Sequence, residues 1–191
     1  MNLSDHNNNL GRFFEDYAVG DIITHATPRT LTEADASLYI SIYPTRFALQ
    51  SSAEFARNCG LKDRPLDDLI VFHTVFGKTV PDISINAVAN LGYAEGKFSN
   101  MVFSGETLSV KSEIIGLKQN SSGKTGIVYV KTKGQNSSGE TILEYKRWVM
   151  VKKRFVSVED TFSNLPHLKT SLDGNELNIP KQLDFTKYDT S

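Results

Sequence analysis

Cysteine is all but missing. Cys59 stands alone among 191 residues, so no internal disulfide can form, and with four scattered histidines it offers no cluster that would hold zinc. A reducing, cytoplasmic setting and no bound metal are therefore expected. Long hydrophobic runs are missing too. The longest, Leu69 to Phe76, is interrupted by His73 and Thr74 and falls far short of the roughly 20 residues that cross a bilayer. The start of the chain, Met1 to Leu10, is Asn-rich and lacks the basic opening and apolar centre of a signal peptide. Nor is there an excess of charge: 21 Lys and Arg against 22 Asp and Glu leave a formal charge of -1, which provides no field toward polyanions. Neither nucleic acid nor membrane is expected as a partner. What remains is an ordinary globular composition, 39% hydrophobic and 10% aromatic, in a chain long enough for one substantial core and too short for two ordinary domains.

Residues 1–10 read as a disordered lead, after which Gly20 turns the chain into a strand over Ile22–Thr30. Thr32 and Asp35 have the spacing of a capping box, and Ala34, Leu38 and Ile42 recur every four residues, which predicts a helix over about 33–43 with one apolar stripe. Pro44 ends it, and Ser51 with Glu54 opens a shorter helix through Ala53–Asn58 that Gly60 can close in the left-handed region. The run Leu69–Phe76 fits a buried strand by its β-branched content. Asp67 and Asp68 at its start and Lys78 at its end fit a helix, apolar nearly all round and hence enclosed, and that is our reading.

From Ile85 the period changes to two. Leu108, Val110 and Ile114, then Val128, Val130 and Thr132, then Leu143, Tyr145, Val149 and Val151 alternate with polar residues, with turns at 120–123 and 135–139 between them. With Ile22–Thr30 and Ala87–Phe98 they predict an α+β fold of the hot-dog type: a curved antiparallel sheet of about five strands wrapped around one long apolar helix. The domain covers 11–154. Residues 155–191 lose the alternation and read as a linker or docking tail.

Several residues are candidates for chemistry. His73, in an otherwise apolar helix, must find a hydrogen-bond partner or lose its charge, and reads as a satisfied core histidine or as a catalytic group. Asp67 and Asp68 read as a helix N-cap pair or as carboxylates that orient a substrate or a water. Asp68 and His73 cannot form a dyad on one face, because five residues at about 100° each place them about 140° apart. Gly92 permits close approach of a ligand, or marks a bulge. The basic strand end Lys152-Lys153-Arg154 reads as a solvated edge or as a contact for a phosphate.

The order of strand, Thr-Glu-x-Asp helix, short Ser51-Ser52-Ala53-Glu54-Phe55-Ala56 helix, apolar central helix and Phe98 followed by Val102-Phe103-Ser104-Gly105-Glu106-Thr107-Leu108 resembles the MaoC-like dehydratase family. The segments GRFFEDYAVGD (11–21), HATPRT (25–30), PLDDLIVFH (65–73), FGKTVPDIS (76–84), NAVANLGYAEGKF (86–98) and RWVMVKKR (147–154) resemble, within it, the N-terminal half of the mesaconyl-CoA hydratases, also called β-methylmalyl-CoA dehydratases.

The resemblance implies a hot-dog fold and reversible syn addition of water to an α,β-unsaturated CoA thioester of a short branched or dicarboxylic acid. It implies no cofactor beyond the CoA of the substrate. In the R-specific enoyl-CoA hydratases of this superfamily, an Asp and a His five residues later activate the water, and an N–H at the central helix start holds the thioester oxygen. Carried over residue by residue, the Asp position is Thr45 and the His position is Gln50, neither of which is a general base near neutral pH. The hydratases resembled have two such units, and Leu183 to Tyr188 looks like the linker between them.

The leading expectation is thus a non-catalytic half, a fragment or split-gene product, that helps to form the acyl-CoA tunnel and needs a companion hot-dog unit for activity. Two alternatives are a homodimer using His73 with Asp67, Asp68 or Glu95, and an acyl-CoA-binding subunit without chemistry. In each case the pocket is expected near Gln50, Ser51 and Ser52, the Asp67–His73 helix start, and Asn90, Gly92 and Tyr93.

Overall fold

The computed structural model describes residues 11–157 and 163–169, together with 171, 173–176, 183, 184 and 186. The Asn-rich lead and most of the last stretch lie outside the described residues. Strand β1 (Ile22–Thr30) leads to α1 (Glu33–Ile42), the short helices α2 (Ala48–Ser51) and α3 (Ala53–Asn58), and the central helix α4 (Asp68–Thr79). A π-helical turn, Val80–Ser84, extends α4 and delivers the chain to β2 (Ala87–Phe98), β3 (Thr107–Gln119), β4 (Thr125–Gln135), β5 (Thr141–Lys152) and β6 (Ser163–Asn164). The strands pair antiparallel in the order β1-β3-β4-β5-β2, with β6 added to β3 at Leu117 and Lys118. This is the hot-dog arrangement, and it leaves β1 and β2 as its edges.

Local chemistry explains the boundaries. The Thr32 hydroxyl accepts the Asp35 N–H while Asp35 accepts the Thr32 N–H, so two orphan amides of α1 are satisfied reciprocally. Ser52, one residue after the expected Ser51, caps α3 by accepting the Phe55 N–H at 3.2 Å. Gly60 follows at φ 94°, the left-handed closure that glycine adopts without strain.

The sheet grips α4 on one side only. Ile70, Val71, Thr74, Val75 and Thr79 are buried, and at Gly134 the helix comes so close that a Cβ there would stand 2.5 Å from Val75 Cγ2. The opposite flank is open: Leu69 is 54% exposed, and His73 and Gly77, one and two turns on, are exposed as well. The expectation of a fully enclosed helix is corrected here. Five strands curl around one side of α4 and stop at the β2 edge, so apolar composition all round reflects a face left uncovered by the described residues. The apolar stripe of α1 is likewise open, with Leu38 63% exposed and only Ala36 buried.

A polar row interrupts the inner face of the sheet. Ser112, Thr132 and Tyr145 lie in register across β3, β4 and β5, with His25 beside them on β1 and Arg147 two residues along β5. On one side sit Leu31, Leu66, Ile70, Val75, Leu108 and Leu143; on the other, Phe14, Ile23, Ile83, Ile114, Val128 and Val149.

Candidate functional site

At the start of α4, Asp67 is buried and its Oδ1 accepts the Leu69 N–H at 2.8 Å. A helix N-terminus attracts an anion, and here the chain's own carboxylate occupies that donor. Asp68 is half-buried beside the Gln50 side chain. Burial pushes its carboxyl up from the ordinary 3.8, the Gln50 amide opposes this by bonding the charged form, and neighbouring Asp67 adds to the upward push. Gln50 itself is buried, with its backbone carbonyl accepting from Arg64 Nη1 at 3.3 Å. Thr45 accepts the Phe47 N–H at 3.3 Å and so belongs to the turn that opens α2. Ser51 donates back to the Phe47 carbonyl, and Ser52 is committed to its cap.

His73 is turned away from this group. It is exposed on the open flank, with Nδ1 3.1 Å from the Tyr39 hydroxyl and Tyr43 edge-on at 6.4 Å between ring centres. Arg29, Tyr39, Ile42, Ile70 and His73 border a groove of about 250 Å³ between α1 and α4. The structure therefore brings Gln50, Asp67 and Asp68 together and sets His73 in a separate groove.

The β2 residues lie elsewhere again. Asn90 is exposed and pairs with Val149. Gly92 pairs with Trp148, and a Cβ on it would fall 2.4 Å from that indole, so its missing side chain makes room for Trp148 instead of for a ligand. Tyr93 is 45% exposed and joins Phe72, Phe76 and Tyr145 in an aromatic cluster on the open flank of α4. Glu95 holds Lys146 at 2.7 Å. Two residues of the basic strand end are committed within the chain: Arg154 pairs with Asp16, and Lys153 donates to Gln119 at 2.7 Å.

Residues 3–184 match the family described as mesaconyl-CoA hydratase. The chain belongs to that family. It is 54% identical over 181 residues to the mesaconyl-CoA hydratase of Cereibacter sphaeroides, covering 95% of this chain and 53% of that one. To the β-methylmalyl-CoA dehydratase of Chloroflexus aurantiacus it is 52% identical over 180 residues, covering 94% and 51%. A crystal structure of a MaoC domain protein dehydratase from Chloroflexus aurantiacus superposes with a TM-score of 0.91 at 51% identity, over 97% of this chain and 53% of that one. The chain thus spans about half the length of the curated relatives it matches.

For a member of this family the polar row is the feature that reading the sequence missed. His25 Nδ1 stands 2.7 Å from Asp82 Oδ2, and its Nε2 2.8 Å from Ser112 Oγ, which lies 2.9 Å from Thr132 Oγ1. With Asp82 ionised, Nδ1 carries the proton and Nε2 accepts from Ser112, so a single relay of donors runs Thr132, Ser112, His25, Asp82. Its connectivity is that of a serine hydrolase triad. Ser112 and Thr132, however, are sealed in the core at 1% and 0% exposure, which bars an acyl carbonyl from the hydroxyl. Burial holds His25 below its ordinary 6.5, against the opposing pull of Asp82. The relay therefore ties β1, the turn after α4, and the sheet together. The available signal was phase: Ser112, Thr132 and Arg147 fall on the inward positions of their strands.

Proposed function

We propose that this chain is the substrate-pocket half of a mesaconyl-CoA hydratase, a hydro-lyase that adds water across the double bond of an α,β-unsaturated acyl-CoA. Hydration needs a base to take a proton from water as its oxygen attacks the β-carbon, an acid to protonate the α-carbon, and a donor for the thioester oxygen as it gains enolate charge. The observation that carries the reading is the condition of the α4 start. Gln50 is an amide, Thr45 is a turn residue, and the Leu69 N–H is taken by Asp67. A companion hot-dog unit would then supply the acid and base.

The uncovered face supports this assignment. Leu69, Ile85, Val88, Leu91 and Tyr93 are all large apolar residues left exposed along α4, the turn after it and β2. Among the described residues β2 is the last strand on its side of the sheet, an edge that a second sheet can extend by backbone pairing. A unit docked there would bury that flank and place its own catalytic groups against the α4 start.

The test is turnover of mesaconyl-CoA, followed as loss of enoyl-thioester absorbance, by the purified chain alone and after addition of the C-terminal half of a relative. Turnover only in the mixture is expected. Turnover by the chain alone would sink the half-site reading and favour a second one, a homodimer using His73, whose exposure beside Tyr39 leaves it reachable. In that case His73→Gln should abolish activity while the folded protein persists.

A further inference from the structure

The groove between α1 and α4 has no part in the chemistry proposed above, yet it opens one turn along α4 from the place of that chemistry. Ile70, in its wall, donates its N–H to the Asp67 carbonyl at 3.1 Å. Leu38, Ile42 and Ile70 give the groove apolar sides, and Tyr39, His73 and Thr74 set polar atoms among them. The Tyr39 hydroxyl and His73 Nδ1 answer each other at 3.1 Å. Thr74 is buried, and its hydroxyl makes none of the hydrogen bonds found among the described residues. A volume of about 250 Å³ suits a narrow chain with scattered polar groups better than a bulky ring system.

Positive charge collects at the far end. Arg29 borders the groove from β1 and gives only Nη2 to Asp35, at 2.8 Å, so the rest of its donor fork has no partner among the described residues. Lys78 stands one helical turn past Thr74 and donates to Thr27, two residues before Arg29 on β1, at 3.4 Å. It takes part in none of the ion pairs found among the described residues. Two cations against the single carboxylate of Asp35 make this end attractive to an anion, and phosphate oxygens suit both a guanidinium and an ammonium. From Asp68 to Lys78 the helix climbs about 15 Å at 1.5 Å per residue, which is the reach of an extended phosphopantetheine arm. A thioester held at the α4 start can therefore lay its arm in the groove and bring its phosphates to Arg29 and Lys78.

We infer that the groove between α1 and α4 carries the phosphopantetheine arm of the acyl-CoA, and that Arg29 and Lys78 hold its phosphates. The inference rests on the reading of this chain as the substrate-pocket half. It keeps the whole acyl group at the α4 start and makes Arg29 and Lys78 binding residues, remote from the bond that is hydrated.

Two thioesters test it by equilibrium binding to the 191-residue chain. They are mesaconyl-CoA and S-mesaconyl-pantetheine, which has the same acyl group and arm but no phosphate. The chain is expected to prefer mesaconyl-CoA by about tenfold, the scale of two phosphate contacts with partly exposed cations. Arg29→Gln and Lys78→Gln should each narrow the preference by about threefold, and together bring it close to none, while the dissociation constant of the pantetheine thioester stays unchanged. Thr74→Val keeps the shape of the side chain and should weaken both thioesters alike, by about threefold. Equal binding of both thioesters by the unaltered chain would overturn the placing of the phosphates and leave the acyl-CoA reading intact. A preference that survives the two charge substitutions would do the same. A Thr74→Val chain that binds both thioesters as tightly as the parent would overturn the course of the arm. Binding of neither thioester by the unaltered chain would overturn both the inference and the reading it rests on.

Discussion

The close approach of α4 to the sheet at Gly134 makes a prediction in which two substitutions must interact. A Cβ built on Gly134 would lie 2.5 Å from Val75 Cγ2 and 3.4 Å from Cγ1, and Val75 is 0% exposed. Gly134→Ala therefore pushes Val75 off its rotamer or lifts the helix, an overpacking that costs about 1–3 kcal/mol. Against this, alanine removes about 0.4–1 kcal/mol of unfolded-state freedom, so the net loss is on the order of 1–2 kcal/mol. Val75→Ala removes two methyl groups at about 0.8 kcal/mol each and leaves a void, for a total of about 2–3 kcal/mol. In the double variant the new methyl of residue 134 enters the space that Val75 vacated. The pair should then cost at least about 1 kcal/mol less than the sum of the singles. Urea unfolding of the four proteins, with midpoints compared at equal slope, measures the coupling. Additivity within about 0.5 kcal/mol, or a gain in stability from Gly134→Ala alone, would refute the packing argument.

Two further outcomes follow from buried polar groups. Burial keeps His25 neutral in the folded protein and lowers its pKa from 6.5, so below 6.5 the unfolded chain binds a proton that the folded one refuses. The stability that His25 contributes is therefore whole above roughly pH 7 and is lost as the pH falls through 6.5 toward the lowered value, at no more than about 1.4 kcal/mol per pH unit. Denaturation midpoints from pH 7.5 down to 5.0 measure it, and a slope in that window as steep in His25→Gln as in the parent would exclude His25 as the source. At the α4 start, Asp67→Ala removes the acceptor of the Leu69 N–H and should lower stability by about 1–2 kcal/mol, whereas Asp67→Asn, which keeps a capping oxygen, should cost only a few tenths. Equal losses in the two variants would show that the cap is not what Asp67 supplies.

Much of the fold was legible because its signals are local or periodic. The strand Ile22–Thr30, the capping box at Thr32 and Asp35, and the alternation of β3 to β5 depend on neighbours within one element, and each appears where the pattern put it. What was not legible depends on which faces are covered. Ala34, Leu38 and Ile42 repeat every four residues, yet Leu38 and Ile42 stand open because no element among the described residues lies over them. The same holds for Leu69 on α4. Periodicity identifies an apolar face but carries no information on whether its cover comes from the same chain.

The candidate site was less legible for a related reason. Asp67 and Asp68 are adjacent in sequence, yet one is committed to the Leu69 amide and the other to the Gln50 side chain, which sequence separation alone could not assign. His73 and Gly92 drew attention as residues unlike their neighbours. One proved to border the groove between α1 and α4 beside Tyr39, and the other to make room for Trp148. The residues that break the hydrophobic pattern from inside, Ser112, Thr132 and Arg147, were harder to notice because each sits in phase with the aliphatic residues around it.

These inner polar groups divide into two kinds. The relay from Thr132 through Ser112 and His25 to Asp82 closes on itself: each donor has an acceptor, and the carboxylate at its end is half-exposed, so the chain of bonds stabilises without needing anything more. Arg147 and Tyr145 sit one strand over in the same low-dielectric interior, and Arg147 Nε and the Tyr145 hydroxyl make no hydrogen bond of good geometry among the described residues. If burial alone selected polar residues for the inner sheet, both groups would be expected to close, since an open donor costs more there than at the surface. One group closes and the other, beside the aromatic cluster on the open flank of α4, does not. The imbalance therefore lies on the side of the sheet that borders the open flank of α4, where the described residues leave an apolar face uncovered.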